Sequence, residues 1–436
     1  MYRIPILVFA WALIGADRGR PADPPTLEQL IAQLGSKSFA EREKATQLLR
    51  ERGPEALPAL RKALASKDEE VRKRAEGLIP GLEINEALLP KRVTLKMKDR
   101  DLDDVLREIT KQTGYKLGIG AQPDSRKVTA DLQDVPFWEA IDLIREQTAK
   151  DIYDGGTETW RLKPGENRSP FVNVRGPFRL EATWFHEDRD IDFTRAGPGK
   201  VGRRSHQLTL LVRVLAEPRL TFLRVSPAKV DEAIDSEGES LLEPSPQPKK
   251  AEVPPGEKPP LPSDEAAAIP PDRGTFRGES LQASDVRLRR ASETAKTIKL
   301  VRGTIPVKAI LIRKPVEVTS KVMESTGTTF RAGDESLQIT RVQNQGGGSI
   351  EVQIQVPREH DQNWQWYERF HLEDDAGNQF QDHGRGSQSN GQKYWISIYY
   401  GPPNGKAVGP PTKLIFQDWV VHEHAIPFQF RDVPLP

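Results

Sequence analysis

The order of apolar and polar positions between residues 93 and 162 predicts two successive strand–helix units. Alternation at Val93–Lys98 is typical of a half-buried strand, and the apolar spacing from Leu102 onward predicts a helix that ends at Gly114. The same order returns at Val128–Leu132 and in the helix that follows it. We therefore expect strands over 93–98, 115–119 and 128–132, helices over 102–113 and 136–148, and a final hairpin over 152–153 and 159–162.

Two motifs within these units are similar to those of a known module. Asp101–Leu106 reads D-L-D-D-V-L, and Asp134–Ile141 reads D-V-P-F-W-E-A-I. Together with the alternating strands before them, they make residues 91–165 resemble the short N-terminal domain of secretins and TonB-dependent transducers. The resemblance implies a small βαββαβ module that is exposed in the periplasm, docks to a protein partner and carries out no chemistry.

Charged side chains on the two predicted helices are the candidate protein-binding residues. If the module binds a partner, its helix faces and its exposed strand edge are available, because an edge strand offers main-chain hydrogen bonds with little demand on sequence. The candidates are Asp101, Asp104, Arg107 and Lys111 on the first helix, and Glu139 and Arg145 on the second.

The segment before this module, residues 26–84, has the apolar spacing of helices throughout. Its pattern repeats after 30 residues, since Ser38, Arg42 and Ala45 return as Asp68, Arg72 and Ala75. Helix pairs with this pattern resemble HEAT repeats. Two pairs would make a short helical repeat, which serves either as a protein-binding surface or as a structural spacer.

Beyond about residue 170 the chain predicts strands bounded by Gly and Pro. We expect a β-sandwich over 170–312, with a disordered proline-rich insertion at 243–273 that is either a loop of the sandwich or a linker. Residues 315–436 predict a second sandwich, immunoglobulin-like by pattern alone. The expected fold class is thus multidomain, with α, α+β and all-β parts: a short HEAT-like helical repeat, a small βαββαβ module and two β-sandwich domains.

The N-terminus predicts export. One positive charge in Met1–Arg3 precedes a mostly apolar run at Ile4–Ala16, which as a helix of about 20 Å is too short to cross a hydrocarbon core of about 30 Å. Residues 1–22 are therefore predicted to be a secretory signal peptide, with its cleavage site open and an uncleaved anchor as the alternative. We expect the mature protein in the periplasm or on the cell surface of a bacterium.

Charge and cysteine content narrow the range of partners. Lys and Arg number 64 against 63 Asp and Glu, so no global charge attracts nucleic acid or an anionic membrane. Cysteine is absent, which excludes disulfides, thiolate metal sites and cysteine nucleophiles. After signal cleavage no later segment is apolar enough for an integral membrane span.

The sequence contains no motif that indicates catalysis or a cofactor. A nucleophile elbow, a Walker loop, a dinucleotide fingerprint and H-E-x-x-H are all missing. His422 and His424 fall on one face of a predicted strand, and Asp188–Asp192 has a partial calcium-loop pattern, but neither has the remaining ligands nearby. We expect no metal, no cofactor and no enzymatic activity.

These observations favour a non-catalytic exported protein-binding or scaffold protein of the bacterial envelope, with an unidentified envelope protein as its partner. The alternative is a carbohydrate-binding or surface enzyme accessory protein that binds polysaccharide through aromatic side chains of the C-terminal domain, with Trp364, Trp366 and Trp395 as candidates. A third reading is a component associated with a secretion channel.

Overall fold

The computed structural model describes residues 24–119, 126–154, 159–164, 169–192, 203–242, 281–333, 335–357, 364–391, 393–403 and 408–436. The chain divides into two compact units, of which the first ends at Glu86 and the second begins at Ala87. The predicted signal peptide at 1–22 and the predicted proline-rich insertion at 243–273 lie outside the described residues. In the part of the chain that is described, no helix is long and apolar enough to span a membrane.

The described part of the first unit consists of helices, and polar side chains cap the starts of most of them. The Thr26 side chain and Gln29 form a capping box, and the Ser38 hydroxyl accepts from the Glu41 N–H. The apolar faces meet in one core that includes Leu30, Leu49 and Leu60. The helices are α1 (Leu27–Gln33), α2 (Phe39–Arg52), α3 (Leu57–Ala63) and α4 (Glu69–Ala87).

The second unit begins with an α+β layer, which we define as residues 92–164. Strands β1 and β3 pair antiparallel, while β2 and β4 flank β5 in a separate three-stranded sheet. The helices bury one face against these strands, with Ile109 and Ile144 fully buried. The elements are β1 (Arg92–Asp101), α5 (Leu102–Thr113), β2 (Lys116–Ile119), β3 (Lys127–Pro136), α6 (Phe137–Thr148), β4 (Lys150–Asp154) and β5 (Thr159–Pro164).

A four-stranded antiparallel sheet follows, in the order β11-β8-β7-β6. Its strand β8 contributes Leu215 to the core of the α+β layer, so the layer and the sheet share buried apolar surface. The strands in this part are β6 (Val172–Arg175), β7 (Phe178–Asp192), β8 (Arg203–Ala216), β9 (Thr221–Val225), β10 (Lys229–Asp235), β11 (Leu281–Arg289) and β12 (Thr297–Thr319).

The C-terminal part contains a five-stranded sheet in the order β13-β14-β15-β18-β17. Its apolar face packs in a core with Phe370 and Phe416. The elements are β13 (Thr329–Ala332), β14 (Glu335–Gly346), β15 (Ser349–Val356), α7 (Trp364–Glu368), β16 (Phe370–Asp374), β17 (Gln381–Ser389), β18 (Tyr394–Gly401) and β19 (Pro411–Pro434).

Two long strands contradict the predicted fold class. β12 and β19 pair antiparallel from Thr297–Pro434 to Thr319–Leu414, and the proposed boundary at 312–315 falls within this ladder. β-Strands dominate the described residues, in several small sheets, and helices are few. The prediction of a multidomain chain with a HEAT-like helical repeat, a βαββαβ module and two β-sandwich domains is therefore wrong. It relied on local patterns, which do not show pairing between distant strands.

Candidate binding surface

The two strand–helix units of the α+β layer repeat the same polar clamp at a spacing of 35 residues, from 112 to 147 and from 94 to 129. The Gln112 amide donates to the Thr94 carbonyl and accepts from the Thr94 N–H, both at 2.8 Å. Gln147 holds Thr129 in the same way at 2.8 and 2.9 Å. Each helix is thus tied to its preceding strand by two side chain–backbone bonds, which fixes how the layer presents its surface.

The charged side chains around α5 make up what we call the α5 charge surface: Arg100 and Asp101 at the end of β1, and Asp104, Arg107 and Lys111 on α5. The Asp104 carboxylate accepts from Arg107 and, at 2.9 Å, from Arg100. These hydrogen bonds, from Arg107 first, hold the pKa of Asp104 below its usual value. The Asp101 carboxylate pairs with Lys127 at 2.7 Å, and Lys111 is exposed. The structure therefore places Arg107 and Lys111 on the exposed side of α5 and Asp104 half-buried beside its two arginines. Asp101 lies at the end of β1, directly before the helix.

The two candidates on α6 have different environments. Glu139 is exposed, whereas the side chain of Arg145 is only 3% exposed and donates to two carboxylates. A partner protein cannot contact a guanidinium that is buried in this way. Arg145 is therefore not available as a protein-binding residue, and we assign it a structural role instead.

Arg145 belongs to a buried ionic network that joins the α+β layer to strands β7 and β8. Its guanidinium contacts Asp142 and Asp151, each at 2.8 Å. Arg179 of strand β7 contacts Asp142 of helix α6 at 3.0 Å, so the ion pairs extend from the α+β layer to the sheet. Among the described residues, the ion pairs of this network join three arginines and three carboxylates: Arg145, Arg179, Arg213, Asp142, Asp151 and Glu181.

The charges in this network balance, and Glu181 is the carboxylate most enclosed by it. Burial alone would raise the pKa of Glu181, but Arg179, Arg213 and Arg145 outweigh that effect and hold the pKa below its usual value. Glu181 and Arg179 are 1% and 2% exposed. Removing one member would leave a buried charge without its partner, so the network fixes the position of the layer on the sheet.

A second buried polar group lies where the chain enters the layer. The Glu217 carboxylate accepts from the Tyr115 hydroxyl at 2.5 Å and from the Lys91 N–H at 3.0 Å. Arg219 lies 3.5 Å away. Burial raises the pKa of Glu217 to about 7, against the opposing effects of Tyr115, Arg219 and Lys91. The pKa of Tyr115 is raised as well, by burial first and then by the charge of Glu217.

A raised carboxyl pKa is a common property of a general acid, but the surroundings of Glu217 do not suit that role. Its side chain is fully buried, and its oxygens are occupied by Tyr115 and the Lys91 main chain. A general acid must come within hydrogen-bond reach of a substrate, directly or through one water. Glu217 has no such access and is better explained as a structural joint.

The tryptophans proposed for carbohydrate binding do not form one exposed platform. Trp366 is 3% exposed and belongs to the C-terminal core, with the Arg369 guanidinium 4.8 Å from its ring centroid. Trp395 is half-buried on β18, opposite Gln355 and Gln388. Trp364 begins α7, and its side chain lies outside what the structure describes.

His422 and His424 do share one face of β19, with ring centroids 6.4 Å apart. The ring of His424 stacks on Phe178 at 5.5 Å. Burial first, and then the neighbouring His422, lowers the pKa of His424. Among the described residues, no group of three or more potential ligands gathers around a metal position. The contacts of His424 are those of a packing residue.

Comparison with known proteins gives no relative. No family model, no curated protein and no solved structure matches this chain. Its function is therefore argued from its own residues.

The sequence reading missed the buried network, Glu217 and one exposed aromatic, Trp184. Single Arg and Glu residues within strands are usually exposed, so the sequence does not predict that a second layer covers them. A signal for Trp184 did exist, because Trp184 and Phe185 are consecutive aromatics, and consecutive side chains of a strand cannot lie on the same face. One of them had to lie on the opposite face of the sheet from the other.

Proposed function

We propose that this chain is a non-catalytic, exported protein-binding or scaffold protein of the bacterial envelope, and that it engages its partner through the α5 charge surface. The observation that carries the proposal is the arrangement around Asp104 on the polar side of α5, where its carboxylate lies between Arg100 of β1 and Arg107. Export rests on the predicted signal peptide at 1–22, and the envelope setting rests on the resemblance of residues 91–165 to a periplasmic docking domain.

The α+β layer supports this role because it holds the surface in place. The Gln112 clamp ties α5 to β1, and the buried ionic network ties α6 to the sheet beneath. A surface that is ordered before binding loses less conformational entropy when the partner docks. Charges of both signs alternate along α5, so the partner surface is expected to carry a complementary alternating pattern.

The test is a crosslinking pull-down from envelope extract in which the charges of Asp104 and Arg107 are exchanged. Asp104→Arg with Arg107→Asp keeps one ion pair on the helix but inverts its pattern. The matched control exchanges Glu69 and Lys73 on α4, an exposed pair at 2.9 Å. We expect the α5 exchange to lower capture of the partner roughly tenfold, about 1.4 kcal/mol, while the control captures as the unmodified chain does.

Salt gives a second readout from the same experiment. Because exposed charges are screened, capture through the α5 charge surface should weaken when ionic strength is raised to about 1 M, where the Debye length is about 3 Å. Equal capture by both exchanged chains, with no effect of salt, would contradict the proposal. The carbohydrate alternative on Trp364, Trp366 and Trp395 has less support, because Trp366 is buried in the core.

A further inference from the structure

Trp184 on β7 is 59% exposed, although its strand alternates between the core and the surface. A β-bulge causes this placement. Ala182 pairs with Val212 and Trp184 with Leu211, so Thr183 is the extra residue, and its hydroxyl donates to the Leu211 carbonyl at 3.2 Å. Bulges re-aim the side chains that follow them. Here the bulge turns an indole outward that strict alternation would have buried.

Leu211, the cross-strand partner of Trp184, is half-buried, and the other neighbours of the indole on this face are polar. The His186 ring lies 5.5 Å from the indole, tilted by 31°. Its Nε2 atom is 2.7 Å from Asp188 Oδ1, which fixes the ring beside the indole. Across the sheet, Thr209 is opposite His186 and Gln207 is opposite Asp188, and Arg287 lies beyond Thr209 on β11.

One part of this sheet face is covered by the α+β layer, and another part is exposed. On the near side of the bulge, Glu181 and Arg179 point to this face and are covered by the α+β layer through the ionic network. On the far side of the bulge, Trp184, His186 and Asp188 are exposed. The indole is thus exposed on a sheet face whose neighbouring part is covered by the α+β layer.

The chemistry of this open position favours a sugar ring over a protein surface. A stable protein interface takes about 800 Å² from each partner, with a cluster of apolar anchors. Here one indole, worth at most about 250 Å², is exposed among hydroxyl, amide, imidazole, carboxylate and guanidinium groups. A pyranose ring offers an apolar C–H face to the negative face of an indole and hydroxyls at its rim for such groups.

Nucleic acid fits this position less well. Stacking on an aromatic ring would suit a base, but the phosphates of the backbone require a groove of positive charge. Asp188 and Asp285 lie on this face with Arg287, and the chain as a whole carries a net charge of +1. The local charges favour a ligand that is neutral or carries both donors and acceptors.

We propose that Trp184, His186 and Asp188 form a carbohydrate-binding platform for a polysaccharide, with the indole stacking on one sugar ring. Thr209, Gln207 and Arg287 supply hydrogen bonds to hydroxyls at its rim. This site is separate from the α5 charge surface and does not depend on protein binding there. It also differs from Trp366 in lying on an exposed sheet face, since Trp366 is buried in the C-terminal core.

The experiment measures depletion of the full-length mature chain from solution by three insoluble polymers: purified peptidoglycan, cellulose and chitin. The variants are Trp184→Ala and Trp184→Phe, and the matched control is Phe39→Ala, which removes another exposed aromatic side chain, at the start of α2. We expect the unmodified chain to bind at least one polymer, with affinity roughly tenfold lower in Trp184→Ala and nearly retained in Trp184→Phe and Phe39→Ala.

Because Trp184 is exposed, Trp184→Ala should unfold at the same temperature as the unmodified chain, so loss of binding is not loss of fold. The proposal is overturned if none of the three polymers binds the unmodified chain, or if Trp184→Ala binds as well as it does. Sedimentation of the same samples tests whether a second copy of the chain contacts the indole instead. A dimer that dissociates in Trp184→Ala, without polymer binding, would assign the indole to contact with a second copy.

Discussion

The stability of the second unit depends on pH through Glu217. Its pKa is raised by burial to about 7 from a usual value of 4.5. The folded chain therefore holds a proton over this interval that the unfolded chain has lost. The contribution of Glu217 to stability is fully present below about pH 4.5, and it is lost as the pH rises through 7.

Replacing Glu217 with Gln should remove this pH dependence. Glutamine keeps an oxygen that can accept from Tyr115 and Lys91 but has no proton to lose. We expect the free energy of unfolding of the unmodified chain to fall relative to Glu217→Gln by about 3 kcal/mol between pH 4.5 and 8, because each pKa unit is worth about 1.4 kcal/mol. Denaturant unfolding at several pH values measures the difference, and a difference that stays constant with pH would show that Glu217 does not titrate in this range.

For single residues, the sequence predicts the exposure of some side chains but not the burial of others. Asp104, Arg107 and Lys111 lie on the polar side of a helix with a narrow apolar stripe, so their exposure follows from helical spacing. Arg145 lies on a helix whose buried arc is wider and includes Trp138 and Thr148. The residue spacing of α6 is compatible with this wider buried arc. An arginine occupies it because the sheet that packs against this part of α6 supplies the charges around Arg145, and the sequence does not show that sheet.

The buried ionic network acts between elements, because it joins α6 and β4 to β7 and β8. Such a network is not needed for tight packing, since apolar residues of similar volume often stabilise a fold equally well. It does restrict which surfaces can meet, because each carboxylate needs its own guanidinium. We infer that it sets the register of the α+β layer on the sheet, with Arg179 and Asp142 at the seam.

Breaking the network should cost far more than breaking an ion pair on the surface. Arg145→Ala removes one positive charge from the buried network and leaves Asp142 to Arg179 and Asp151 to Arg213, and we expect a loss of about 3–5 kcal/mol in the free energy of unfolding. Arg107→Ala removes an exposed pair with Asp104 and should cost less than about 1 kcal/mol. Chemical denaturation of both variants provides the comparison. Similar losses for the two would mean that the network does not hold the layer.

The strands and helices of the α+β layer were predictable because their alternation, spacing and turn residues agree. The full length of the strand β12 was not, because Pro315 resembles an interruption and the predicted domain boundary was placed at 312–315. Pro306 lies between the segments that pair with β9 and β10, where the second ladder is already broken. Pro315 lies where β12 pairs with β19 alone. A proline without an N–H is tolerated at such positions, and the sequence does not reveal which positions these are.

At the scale of the whole molecule, the ladder between β12 and β19 decides the architecture of the second unit. It connects the sheet region after the α+β layer with the C-terminal core, to which Leu414 and Phe416 of β19 belong. A boundary drawn from composition near residue 312 would cut this ladder. Pairing between strands so distant in sequence leaves no local signature, which is why fold class could not be predicted from pattern alone.

The proposed partner surface and the proposed carbohydrate platform lie in the same unit but rest on different groups. The α5 charge surface depends on exposed ion pairs around Asp104, and the platform depends on the indole of Trp184. A scaffold with both would tether a protein partner to a polymer of the envelope. Each variant set changes one surface without changing the other, so either proposal can fail alone.

Site-specific photocrosslinking tests most directly whether a protein partner contacts α5. A photoreactive phenylalanine at position 107 replaces a side chain that is 74% exposed, and the control places it at position 73 on α4, where the side chain is 68% exposed. We expect position 107 to crosslink one envelope protein that position 73 does not. Crosslinking of the same proteins from both positions, or of none from position 107, would contradict the proposed function.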